Sequence, residues 1–436
     1  MPDVAAAIAY LRSPLAVRAR CEAIFDAGIQ GALRHFAIEL AALPAVVDRV
    51  VEVTRAAYPD LDIPVHGRLN HFRAAGIDRV AELEARLVDL APAERLRSWV
   101  DLIVVSVLLD AGAGDTWCYR EPGSGATLAR SEGLAVASLR AFEAGVFSSR
   151  PSRPMQADAA GLAALDPARL AAAFQVSDAN PIAGFAGRVA LARALGAAVA
   201  AAPQWFPGER PGGLIDCLSA AASHAAASDA ETPTTALPLA GAATPPTGVP
   251  ARPTIEAAAL LAAVLDGLAP IWPGRIELGG VNLGDVWRHP AAGGSGHSAG
   301  LVPFHKLSQW LAYSLFEPLE RAGCAIAHPG ALTGLPEYRN GGLLVDLGVL
   351  VPKHARVLAD VHAPGDEVIV EWRALTVALL DRVAEGVRSK LGKTAAELPL
   401  ARVLEGGTWA AGRVVARERR PDGRPPIQIQ SDGTVF

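Results

Sequence analysis

The sequence predicts a mainly α-helical, compact multi-helical fold, and three observations carry that prediction. Hydrophobic residues make up 51% of the 436-residue chain, much of that share is alanine, and aromatics are only 6%. Alanine with scattered leucine and valine favours helix over strand. Apolar residues also recur at helical spacing in one segment after another. With charged residues at 19%, the chain can bury a substantial core and is not broadly disordered.

In chain order, "DRVAELEARLVDL" repeats apolar residues at helical spacing. "RLRSWVDLIVVSVLLDA" is apolar on nearly all sides and is expected as a central buried helix, with its β-branched run Ile103–Val107 leaving a buried strand as the alternative. A Gly-rich turn and the strip "DTWCYRE" follow, then a helix from about Ser131. Asp166 caps a helix whose first turn holds Pro167, and "FAGRVALARALGAAVA" forms the next. Thr254 is expected as the N-cap of a helix with Ile255, Leu261, Val264, Leu265 and Leu268 in phase. A helix over Phe304–Glu317 puts Leu307, Leu311 and Leu315 on one face and Lys306, Gln309 and Tyr313 along another. The last long helix runs through "DEVIVEWRALTVALLDRVAEGVRSKL", its core stripe being Val368, Trp372, Leu375, Leu379 and Val383. These elements fall into a helical part at 1–225, a Pro/Thr/Ala-rich flexible linker or insertion at 226–253, and a helical part at 254–436 that carries the candidate catalytic residues. The two helical parts are expected to form one compact unit.

The net charge of −5 argues against a nucleic-acid or anionic-membrane partner that depends on a basic surface. Cys21, Cys118, Cys217 and Cys324 are far apart, with no CxxC spacing, so reduced thiols are expected and a cysteine zinc site is not. The sequence has no uninterrupted apolar run of about 18 residues and an N-terminal stretch too charged for a signal peptide. The expected setting is therefore the cytoplasm.

The stretch "LTGLPEYRNGGLLVDLGVL" holds the main candidate site. Glu337, Tyr338 and Arg339 form a polar cluster between apolar runs, and Gly341–Gly342 follows, a pair that lets the backbone bend closely round a ligand. A turn here would bring Glu337 and Arg339 opposite Lys306, Gln309 and Tyr313. A carboxylate facing a lysine stays ionised at neutral pH and can steady a developing sugar cation or align a water. Lys306 or Arg339 can hold a phosphate. A solvated surface loop is the competing reading. In "DTWCYRE", Trp117 and Tyr119 can wall a flat ligand while Asp115 and its charged neighbours fix a polar edge; a capping loop with ordinary aromatic burial reads equally well. His66, Arg68 and His71 in "PVHGRLNHF" have a spacing that suits an anion or a metal, without a matching carboxylate cluster nearby in sequence.

The segments "GRLNHFRAAGIDR", "TWCYREPGSG" with "RSEGLAVASLRAFEAGVFSS", and "LPEYRNGGLLVDLGVL" with "EWRALTVALLDRV" resemble the uncharacterised family associated with uracil catabolism in fungi and bacteria, over nearly the whole length. A more distant resemblance is to queuosine salvage proteins, nucleotide N-glycosidases with a helical DNA-glycosylase-like fold. It is carried by the co-linear order of "VLLDAGAGDTWCYRE", "GRVALARALG", "PFHKLSQWL", "LTGLPEYRNGG", "LGVL" and "EWRALTV". On this resemblance Lys306 and Gln309 take polar positions of a helix motif. Glu337 stands at the position of the catalytic aspartate, and Glu371 and Arg373 come from the last motif. The strip that contacts the base is rewritten here, with Gly-Asp in place of Leu-Asn.

Together the resemblances imply hydrolysis of the N-glycosidic bond of a ribose 5-phosphate derivative, such as a ribosyl-urea or ring-opened uridine nucleotide. Glu337 and Lys306 are the implied catalytic residues. Arg339, Tyr338, Gln309, Trp117, Tyr119, Asp115 and Arg373 are the implied substrate-binding ones. The expected partner is a small nucleotide-like molecule, with no metal and no organic cofactor. The alternatives are an amidohydrolase acting on a ureido intermediate and a non-catalytic ligand-binding protein of the same pathway.

Overall fold

The run at Pro92–Leu108 is a helix, and every residue from Ser98 to Leu108 is buried. The β-branched stretch does not become a strand because helices cover it: Arg130–Glu143 and Lys306–Arg321 both pack against it. In this computed structural model, which describes residues 2–110, 112–114, 116–218, 252–272 and 275–430, helices dominate. Most of the expected insertion at 226–253 lies outside the described residues.

The other axis of the molecule is Glu367–Leu391, the longest helix described. Its stripe of Val368, Trp372, Leu375, Leu379 and Val383 is buried. Two helices from the opposite end of the sequence, Pro14–Ile29 and Leu43–Ala57, pack on it. One hydrophobic core therefore receives side chains from both ends of the chain. Among the described residues, no helix is long and apolar enough to cross a membrane.

Strands are short and come in pairs. Phe36–Ile38 runs antiparallel to Leu350–Pro352, with Phe36 opposite Pro352. Val286–Arg288 runs antiparallel to Leu301–Pro303, ending just before Lys306. The helix expected from Thr254 begins later, at Ala257, because Thr254–Glu256 forms a strand parallel to Ala325–Ala327 and Thr254 caps nothing. Local propensity yields here to a long-range partner. The strip after the Gly-rich turn is a hairpin, Cys118–Arg120 with Thr127–Ala129.

The Glu337 segment is not a bend. Glu337 is the N-cap of a helix, Tyr338–Asp346, and the two glycines lie inside it. A Cβ on Gly341 would stand 2.7 Å from the Trp372 ring, so the glycine allows the short helix to sit against the long one. Gly412 has the same role in the helix Trp409–Arg419, where a Cβ would collide with the Arg339 carbonyl oxygen. Gly412→Ala is therefore expected to destabilise the protein by about 1–3 kcal/mol, the range for overpacking. Gly187, which faces open space in the helix Phe185–Ala201, is the control. Gly187→Ala should be neutral or stabilise by up to about 1 kcal/mol. Urea unfolding of both variants checks the contrast.

Candidate active site

Three structural joints converge on one pocket. The first is the N-terminus of Lys306–Arg321. His305, just before it, is held in the left-handed region at φ 49°, with its Nε2 2.8 Å from the Leu11 carbonyl. The Lys306 amide donates to Asp285 Oδ2 at 3.0 Å, and Arg373 grips both oxygens of that carboxylate at 2.8 Å. Burial alone would raise the Asp285 carboxyl; the Arg373 guanidinium and the donated hydrogen bonds bring it well below the ordinary carboxylate range.

The second joint fixes Glu337. Its carboxylate accepts hydrogen bonds from the Arg339 and Asn340 amides and so closes the first turn of its helix. Gln309 staples the approach to this turn. Its Nε2 donates to Thr333 Oγ1 and the Phe304 carbonyl, and its Oε1 accepts from the Thr333 amide. The Tyr313 hydroxyl donates to the Thr333 carbonyl at 3.1 Å.

The third joint is Arg68, fully buried in its short helix and lying over the Trp310 ring at 4.8 Å. It makes an ion pair with Asp110 at 2.8 Å and donates to His71 Nδ1 at 3.0 Å. The His71 ring accepts through Nδ1, so its neutral form carries the proton on Nε2. Burial, reinforced by Arg68, pushes its pKa well down and keeps it neutral.

These joints surround a cavity of about 280 Å³ lined by Lys306, Glu337, Tyr338 and Arg339, with Asp110 and Arg130 also on its wall. Its aromatic surfaces are Trp310, Tyr338 and Trp409. Among the described residues the Lys306 ammonium makes no hydrogen bond or ion pair. Burial lowers its pKa, while Glu337, Asp110 and Asp285 oppose that shift from a distance. Burial raises the Glu337 pKa against the pull of its two backbone donors and of Lys306. Arg339 donates to the Gly423 carbonyl at 2.7 Å and lies over the Tyr338 ring. Arg130 reaches the wall from a left-handed backbone, φ 54°. The arrangement offers a fixed carboxylate and an uncommitted cation at the mouth of two helices, with flat apolar walls.

Of the residues singled out from sequence, Lys306, Glu337, Tyr338 and Arg339 meet in this cavity, together with His66 and His71. Gln309, Trp117, Tyr119 and Arg373 do not line it. Gln309 spends its amide on Thr333, and Arg373 spends its guanidinium on Asp285. Trp117 is buried under the Arg130–Glu143 helix, where Gly133 leaves room for its ring, and its indole donates to the Phe174 carbonyl at 3.0 Å. Tyr119 is buried beside it in the hairpin. The hairpin folds this strip into the core, which corrects the expected aromatic wall. Asp115 lies outside the described residues. Sequence reasoning missed Asp110, Arg130, Trp310 and Trp409. Asp110 had a signal: it is the acidic residue that directly follows the largely apolar run Leu102–Leu109.

Fold and site together define a mainly helical protein with a half-buried, cation-bearing pocket of small-molecule size. The chain belongs to the family described as "Protein of unknown function (DUF1688)", whose model matches residues 10–436. It is similar to "Protein urg3" of Schizosaccharomyces pombe, 37% identical over 438 residues that cover 98% of this chain and 99% of that protein. It is also similar to "Uracil catabolism protein 4" of Lachancea kluyveri, 36% identical over 460 residues, with 98% and 99% covered.

The Glu337 carboxyl has an expected pH signature. Its folded pKa lies above the ordinary 4.5, so the folded protein holds this proton to higher pH than the unfolded chain does. That contribution favours folding below pH 4.5 and is lost as pH rises through the folded value. Measured against Glu337→Gln, which titrates nothing there, wild-type melting temperature should fall as pH rises from 4.5 towards neutrality. A pH-independent difference would contradict the shift.

Proposed function

We propose that this chain acts in uracil catabolism as a hydrolase of the N-glycosidic bond in a ribose 5-phosphate derivative, ribosyl-urea 5-phosphate being the substrate that suits the pocket best. The pathway rests on the name of the Lachancea kluyveri relative, "Uracil catabolism protein 4". The reaction rests on one observation: an anchored, buried carboxylate, Glu337, shares a cavity with Lys306, a lysine unpaired among the described residues. The order of motifs, which resembles that of queuosine salvage N-glycosidases, is in keeping with that reading. The cavity, about 280 Å³, is at the small end of ligand pockets, which favours a sugar phosphate with a small leaving group over an intact nucleotide.

In this mechanism the bond from C1 of the ribose to the leaving nitrogen breaks, and positive charge builds on C1 and the ring oxygen. Glu337 balances that charge from a position set by two backbone amides, with no reorganisation needed. Water adds its oxygen to C1, and its proton goes to the departing nitrogen. The products are ribose 5-phosphate and urea. Lys306 and Arg339 hold the phosphate. Trp310 and Trp409 keep bulk water from the far side.

Two results test this. Glu337→Gln should cut turnover of ribosyl-urea 5-phosphate by roughly a hundredfold or more while ligand still binds. Lys306→Ala and Arg339→Ala should weaken the phosphorylated ligand more than its dephosphorylated form, read by calorimetry. Normal turnover by Glu337→Gln on the true substrate would make the carboxylate a cap and nothing more.

A further inference from the structure

A second cluster of ligating side chains lies outside this cavity, at the N-terminal turn of Glu367–Leu391. Glu367 and Glu371 are four residues apart, so they share a helix face. His35 faces them from the residue before the strand Phe36–Ile38, and His354 follows the paired strand Leu350–Pro352. The ligating atoms of His35, Glu367 and Glu371 all lie within 4.8 Å of one another, and His35 Nε2 is 3.7 Å from Glu367 Oε1.

Glu371 is fully buried, and its two oxygens differ. Oε1 accepts from the His35 and Phe36 amides at 3.1 and 2.8 Å. Oε2 has no hydrogen-bond partner among the described residues, and neither has the buried His35 Nε2. A buried carboxylate oxygen without a donor is rare and costly. His289 Nδ1 accepts from the Ala291 amide, which leaves its Nε2–H facing Glu371 Oε2 at 3.6 Å, too long for a hydrogen bond.

We propose that His35 Nε2, Glu371 Oε2 and Glu367 Oε1 form a site for a divalent first-row transition metal, and that zinc is the ion they suit. One imidazole and two carboxylates are a borderline donor set whose two negative charges match the ion. Tetrahedral zinc with bonds of about 2.1 Å needs ligand atoms roughly 3.4 Å apart, so the cluster closes through small side-chain rotations. The side chain of Glu367 is 35% exposed, which leaves an approach from solvent and a position for water. His35 Nδ1 is 3.0 Å from His354 Nε2. With the ion on Nε2, Nδ1–H donates to His354 and fixes the ring, the support that metal-bound histidines usually have. None of the three ligands lines the cavity. The ion therefore fastens the His35 loop to the helix that, half a turn beyond Glu371, carries Arg373.

The test is cobalt(II) titration of the metal-free full chain, followed by visible absorption, with zinc as competitor and melting temperature as a second readout. One equivalent of cobalt should bind with a ligand-field spectrum, be displaced by zinc, and raise the melting temperature. His35→Ala and Glu367→Gln should each weaken binding about tenfold or more. Glu371→Gln is not the deciding variant, because Glu371 also holds two backbone amides. The proposal is overturned if the wild type binds neither ion stoichiometrically, or if both variants bind as it does; cation held elsewhere, by His66 with Glu405 for example, would give that second result.

Discussion

Lys306 owes its place to a carboxylate it does not touch with its side chain. Asp285 accepts the Lys306 amide and is itself clamped by Arg373 from the second turn of the longest helix described. The same guanidinium lies over the Phe304 ring, 4.1 Å from its centroid. This one largely buried pair joins the long helix, the short strands before Lys306 and the start of the Lys306–Arg321 helix. Removing one partner of such a pair leaves an uncompensated buried charge and costs about 3–5 kcal/mol. The geometry of the pocket depends on it more than on any contact inside the pocket.

With that frame fixed, the pocket can hold groups in unfavourable states. Glu337 sits where burial raises its pKa, and Lys306 where burial lowers its own. Both shifts mean that the charged forms are less stable here than in water. Among the described residues, neither is relieved by a direct ion pair. Two other buried carboxylates have direct ion pairs, Glu121 with Arg79 and Asp101 with Arg210. Two buried ionisable groups that line one cavity with no direct ion pair between them make this pocket the candidate site.

Much of this was legible in the sequence. Helical periodicity located the long helices and the buried stripe from Val368 to Val383, because those signals are local. The polar cluster at Glu337 and the polar face of the Lys306 helix led to one cavity. What local pattern does not encode is which partner a side chain finds. Arg373 was placed at the ligand by the motif resemblance alone, and its partner, Asp285, is far away in sequence. Trp117 and Tyr119 looked like a wall until the hairpin turned them inward. Gly341 looked like part of a bend round a ligand, yet it is a packing residue beneath Trp372. His35 raised no expectation at all, since Glu367 and Glu371 meet it only when the two ends of the chain fold together.

The central claim is that the cavity breaks the bond to the sugar and not an amide bond of the leaving group. Carbon-13 NMR of ribosyl-urea 5-phosphate labelled in its ureido carbon, incubated with the protein, follows that carbon directly. The account predicts intact labelled urea with one equivalent of ribose 5-phosphate. Labelled carbamate or carbonate, with ammonia released, would contradict it.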